Sequence, residues 1–141
     1  MDSKKYQKSA LRTNSPDYPG VSRRVTSSRY EFPYGNNQNK KSIDLLHASM
    51  GLVTESGEFQ DALKKHIFYG KELDTVNLKE EIGDVLWYCA IALEALGTDF
   101  ETVMQTNIDK LKARYPEKFT EDSANNRDLE TERQILENGE D

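Results

Sequence analysis

The sequence predicts an all-α protein, a helical bundle completed by oligomerisation and preceded by an irregular basic N-terminal arm. Three observations predict it. Long segments carry apolar residues at the three- and four-residue spacing of a helix face. Those segments open on capping residues and close on glycine or proline. No stretch alternates as a half-buried strand would.

Taken in order, residues 1–13 fit a short helix with Tyr6, Ala10 and Leu11 on one side. Residues 14–41 are rich in Ser, Asn, Pro, Gly and Arg, and Pro16, Pro19, Gly20, Pro33 and Gly35 oppose regular structure. This stretch reads as an extended arm. Its Arg23, Arg24 and Arg29 are interleaved with Val21, Val25, Tyr30, Phe32 and Tyr34, more apolar residues than a disordered tail carries. The arm is therefore expected to pack along the bundle and bring arginine toward a ligand. Ser42 is the expected cap of a first long helix, residues 42–68, which Gly70 stops. Asp74 or Thr75 caps a second, residues 76–96, ended by Gly97. Thr98 or Asp99 caps a third, residues 99–115, in which Phe100, Met104, Ile108, Leu111 and Tyr115 form an expected core stripe before Pro116. Past Phe119 the chain turns acidic, with a short helix expected over residues 127–136. The divisions are an arm (1–41), a helical domain (42–119) and an acidic extension (120–141).

At 141 residues and 35% hydrophobic content the chain can build one modest core. Helices with apolar residues on several sides, among them Leu46, Val53 and Ile67, need more partners than so short a chain supplies, so a homo-oligomer is expected, a dimer or a tetramer. The formal charge of −6 is uneven. Residues 1–41 hold nine Lys/Arg against three acids, and the remainder ten against twenty-two, which argues against specific nucleic-acid binding by the folded part. No membrane span or signal peptide is visible. Cys89 is alone, which excludes an internal disulfide, suits a reducing cytoplasm and reads as a core thiol.

The chemistry lies in two acidic pairs, Glu55/Glu58 and Glu81/Asp84, each at i, i+3 and so on one helical face. Glu55 and Glu58 align with Asp44, Ala48, Gly51 and Ala62; Glu81 and Asp84 align with Tyr88, Ala92 and Ala95. These small side chains are expected to leave room for a ligand. The flanking faces, Leu45, Leu52, Phe59 and Leu63 on the first helix and Ile82, Val85, Cys89, Leu93 and Leu96 on the second, are expected to pack. A hairpin of the two helices would converge four carboxylates. Buried carboxylates need cations, no equal set of Lys or Arg shares their stripes, and a divalent metal is the natural compensator.

Three runs together resemble the MazG-like nucleotide pyrophosphohydrolases of the all-α NTP pyrophosphatase superfamily. They are His47-Ala-Ser-Met-Gly-Leu-Val-Thr-Glu-Ser-Gly-Glu58, Asn77-Leu-Lys-Glu-Glu-Ile-Gly-Asp-Val-Leu-Trp-Tyr88 and Asn107-Ile-Asp-Lys-Leu-Lys-Ala-Arg-Tyr-Pro116. The resemblance spans about residues 44–119. It departs from the family at Thr54, where a further Glu often stands. It implies hydrolysis of a ribo- or deoxyribonucleoside triphosphate to the monophosphate and pyrophosphate, with Mg²⁺ or alternatively Mn²⁺ as cofactor. It implies that Glu55, Glu58, Glu81 and Asp84 are metal ligands and catalytic residues, Glu58 being the favoured proton acceptor. Tyr88, Asn107, Lys110, Arg114 and Tyr115 are the implied substrate-binding residues. Trp87 reads as an interface or base-pocket residue and His47 as a structural imidazole. The competing reading is a non-catalytic acidic helical oligomer acting as a regulatory or interaction protein. A di-iron carboxylate bundle ranks last, because no Glu-x-x-His occurs.

Overall fold

The computed structural model describes residues 1–14 and 36–139, the side chains of 36–39 excepted. The arginine- and aromatic-rich part of the arm, with Arg23, Arg24 and Arg29, lies outside the described residues. Among the described residues six helices follow one another: α1 (Ser3–Leu11), α2 (Asn36–Tyr69), α3 (Thr75–Leu96), α4 (Phe100–Arg114), α5 (Glu121–Asn125) and α6 (Leu129–Asn138). There is no strand among the described residues.

Side-chain caps set most of these starts. Asp2, Asp74, Asp99, Thr120 and Asp128 each accept a backbone N–H of the following first turn, worth about 1 kcal/mol apiece. Gly97 ends α3 at φ +80°, and Gly70 follows α2 at φ +63°, a left-handed conformation that a Cβ would strain. The start of α2 differs from expectation, lying at Asn36 and not at Ser42. Residues 36–41 contain no proline or glycine, and the Lys40 ammonium, one turn before Asp44, sits 2.5 Å from its carboxylate, so the helix extends backward through a polar segment. α5 was not expected, and α6 lies two residues later than residues 127–136 because Asp128 is its cap.

Architecture follows from which faces meet. α2 and α3 form an antiparallel-type hairpin across the short Gly70–Asp74 connection and make the most extensive contact; α1 packs on α3 and α4, and α4 packs on α6. The hairpin closes along the stripes of small residues. Asp44, Ala48 and Gly51 are buried on α2, and Glu81, Ala90, Ile91, Leu93 and Ala95 on α3. The faces expected to pack do so in part: Leu93 is buried, Leu45, Leu52, Phe59, Leu63, Val85 and Cys89 are half-buried, and Ile82 and Leu96 are exposed. Small side chains let two helix axes approach more closely than leucine does, so the small stripe becomes the contact. At Gly51 an added Cβ would lie 2.2 Å from the Tyr88 ring. The space expected for a ligand there is filled by Tyr88.

The expected core stripe of α4 is likewise corrected. Met104 and Ile108 are about half exposed, at 52% and 47%, because α4 packs only on the small helices α1 and α6 to any extent. An ion pair ties it to α6. Glu132 is 5% exposed and accepts from Arg114 Nε at 2.8 Å and from Arg127 Nη2 at 2.6 Å. Hydrogen bonds from Arg114 and then Arg127 hold its carboxyl down at about 2, against an ordinary 4.5. A depressed folded-state pKa contributes stability above the unfolded value and loses it as pH falls. The α4–α6 junction should therefore loosen between pH 4.5 and about 2. Helical signal and amide protection in α6 measured across that range should fall, and Glu132→Gln should lower both at pH 7 while flattening the acid dependence.

Candidate metal centre

Glu55 on α2 and Glu81 and Asp84 on α3 each offer a carboxylate oxygen, all within 4.8 Å of one another. Helix spacing explains the set: Glu81 and Asp84 are i, i+3 on α3, and the Gly51–Tyr88 approach one turn away brings Glu55 across to them. Glu81 is buried, Glu55 half-buried and Asp84 exposed, so the cluster has a closed floor and an open side. Asn77 Nδ2 donates to Glu81 at 2.7 Å, and Thr54 Oγ1 donates to Glu55 at 3.2 Å. Thr54 thus stands where the family often has Glu and orients a neighbour carboxylate. Among the described residues no salt bridge reaches Glu55, Glu58, Glu81 or Asp84.

Electrostatics record the strain. Burial first, then the charges of Glu58, Asp84 and Glu81, pushes the Glu55 carboxyl up, against the Thr54 hydrogen bond. Burial, with Glu55 and Asp84 behind it, raises the Tyr88 phenol.

Glu58 stands outside the close trio but lines an adjacent cavity of about 220 Å³ with Glu81, Asn77, Asp61, Lys65 and Lys71. Lys65 is paired to Asp61 at 2.7 Å. Lys71 was not singled out from sequence; the Gly70 turn, closed by the Lys71 N–H on the Lys65 carbonyl at 3.2 Å, carries it to the cavity. Nothing in a loop lysine's sequence context signals that placement.

Tyr88 is engaged in packing, edge-on to His47 at 5.4 Å and to Trp87 at 4.8 Å. His47 is thereby a packing residue behind the site. The α4 residues are not gathered at the carboxylates by any of the helix contacts that dominate the chain. Asn107 is exposed, Lys110 half-buried, Arg114 bound to Glu132, and Tyr115 stacked near Phe119 at 5.5 Å. Cys89 is half-buried, its thiol pushed up by burial, which agrees with an inert sulfur.

The donor set fits a hard divalent cation. All candidate ligands are carboxylate oxygens, the preference of Mg²⁺ and Mn²⁺. In an octahedral shell of about 2.1 Å radius, adjacent oxygens lie ~3.0 Å and opposite ones ~4.2 Å apart. Oxygens within 4.8 Å need only a small rotamer adjustment to meet that.

Three comparisons with known proteins bear on the chain. The family model described as MazG nucleotide pyrophosphohydrolase domain matches residues 45–119, which include all four acids. The Gene 37 protein of Mycobacterium phage L5 is 34% identical over 90 residues, covering 59% of this chain and 76% of that one. No solved structure matches. No helix among the described residues is long and apolar enough to cross a membrane.

Because Glu55 is held above its ordinary value of 4.5, its ionised form destabilises the metal-free fold as pH rises past that value. Glu55→Gln should raise the Tm of metal-free protein at pH 7, with the difference vanishing below pH 4.5. Thermal melts in chelator across pH 4–8 check this.

Proposed function

The chain belongs to the MazG nucleotide pyrophosphohydrolase family, and from that premise we propose that it hydrolyses a ribo- or deoxyribonucleoside triphosphate to the monophosphate and pyrophosphate with Mg²⁺. The observation that carries the reading is the uncompensated trio Glu55, Glu81 and Asp84, converged within the matched segment. An acidic surface of a non-catalytic oligomer would have no reason to bury Glu81 to 5% exposure.

Glu55, Glu81 and Asp84 would hold Mg²⁺, or Mn²⁺ in its place, with Glu58 able to join from the same face of α2. When bound there, the metal lowers the pKa of water and spreads the charge of the leaving pyrophosphate. Glu58, free of the close trio, is the carboxylate that accepts the attacking water's proton. Asn77 keeps Glu81 turned toward the cluster. Lys65, paired to Asp61, and Lys71 line the same cavity as Glu58 and Glu81 and in this reading meet phosphate oxygens. Asn107, Lys110, Arg114 and Tyr115 would meet substrate only if it extends from the acids to α4, and Arg114 only by leaving Glu132. Tyr88 holds the hairpin closed behind the acids.

The chain also works as a homo-oligomer in this proposal, a dimer or a tetramer. Met50, Val53, Ile82, Leu86, Leu96, Met104 and Ile108 are all exposed, an apolar surface in excess of what α1–α6 cover. A monodisperse monomer at micromolar concentration in sedimentation velocity contradicts it.

A panel of ribo- and deoxyribonucleoside triphosphates with Mg²⁺, scored for pyrophosphate against orthophosphate, tests the activity. Pyrophosphate release is expected, with kcat lowered at least 100-fold in Glu58→Ala and Asp84→Ala at unchanged helical signal. Orthophosphate as the sole product, or wild-type rates in both variants, overturns the reading.

A further inference from the structure

The family match begins at residue 45, so α1 is an addition to the matched module, yet it grips the metal-site helix at two places and the corner beyond it at a third. The Trp87 indole N–H, one turn beyond Asp84, donates to the Ala10 carbonyl at 3.1 Å and to Thr13 Oγ1 at 2.8 Å. The Tyr6 hydroxyl donates to the carbonyl of Gly83, the residue before Asp84, at 3.3 Å. Gln7, 6% exposed, donates to the Thr98 carbonyl at 3.1 Å and accepts from the Phe100 N–H at 3.3 Å, fastening α1 across the corner between α3 and α4. A surface helix held by packing alone would not bury a glutamine or aim two hydrogen-bond acceptors at one indole. The contacts cluster on the α3 turn that carries Asp84.

We propose that α1 is a positioning element for the metal site, with Thr13 and Tyr6 acting through Trp87 and Gly83 to fix the α3 turn that presents Asp84. The claim rests on the metal-dependent reading of Glu55, Glu81 and Asp84. Its physical basis is the narrow tolerance of Mg²⁺ for oxygen geometry: a ligand set displaced by half an ångström loses affinity, and groups behind the ligands commonly set that placement. Asp84 is the exposed member of the trio and Glu81 the buried one, so Asp84 depends most on support from outside the hairpin.

Thr13→Val and Tyr6→Phe remove single hydrogen-bonding groups while keeping shape; the Tyr6 ring retains its edge contact with Phe100 at 5.7 Å. Two readouts in the full-length protein without nucleotide test the proposal. In metal-free protein, hydrogen exchange at the amides of residues 83–88 should speed up at least threefold in both variants, with residues 48–55 of α2 unchanged. In Mn²⁺ titrations followed by the emission of Trp87, the protein's one tryptophan, the midpoint should rise at least threefold in both variants. The kcat at saturating Mg²⁺ should recover to within twofold of wild type. Lowered Tm with unchanged exchange at 83–88 and an unchanged Mn²⁺ midpoint would make α1 a structural brace only and overturns the proposal. A wild-type protein that takes up no Mn²⁺ overturns the metal reading instead, and the exchange comparison then decides separately whether α1 sets this turn.

Discussion

The close approach of α2 and α3 is the constraint on which the rest depends. Gly51 and Ala48 admit Tyr88 to the axis of α2 at a distance that any Cβ at residue 51 would forbid. With that contact made, Glu55 lies across from Glu81 and Asp84 as a consequence of helix pitch, and no loop is needed to assemble the site. The core is accordingly built mostly from small residues, Ala48, Ala90 and Ala95 with Ile91 and Leu93, and most of the larger aliphatic side chains lie outward. A fold that places acids by tight helix contact leaves apolar surface for other copies to cover.

Charge compensation divides the molecule into two kinds of buried acid. Asp44 is 5% exposed and is met by Lys40 at 2.5 Å and Asn14 at 3.4 Å; Glu132, equally buried, is met by Arg114 and Arg127. Glu81 is buried to the same degree with only an amide, Asn77, as donor, and two more carboxylates stand within 4.8 Å. The chain has cations to spare for structural acids and withholds them from this cluster. A deficit at one point in a structure that neutralises its other buried acids is the charge pattern that the proposed metal role calls for, and oxygen donors suit a hard cation.

Much of this was legible in the sequence because it is local. Asp74, Gly97 and Asp99 cap where capping chemistry says they should, and i, i+3 spacing alone pairs the acids. The three motif runs pointed to the family whose model matches residues 45–119. What was not legible is which face of each helix meets which neighbour. Periodicity marks Leu45, Leu52, Phe59 and Leu63 as apolar, but whether a leucine stripe or a glycine–alanine stripe forms the seam is decided by a partner surface, here the Tyr88 side of α3. The engagement of Arg114 by Glu132, eighteen positions later, was invisible for the same reason. Asn36 as the start of α2 was missed because asparagine and lysine lower helix propensity only weakly.

In the proposed reading the α2–α3 seam creates one divalent-cation site from residues of both helices. Crystals grown with Mn²⁺ and measured for its anomalous scattering test it most directly. A Mn²⁺ peak is expected within ligand distance of Glu55, Glu81 and Asp84, with Glu58 turned inward. A well-diffracting crystal with Mn²⁺ bound elsewhere, or with those carboxylates neutralised by lysine or arginine of a neighbouring copy, contradicts it.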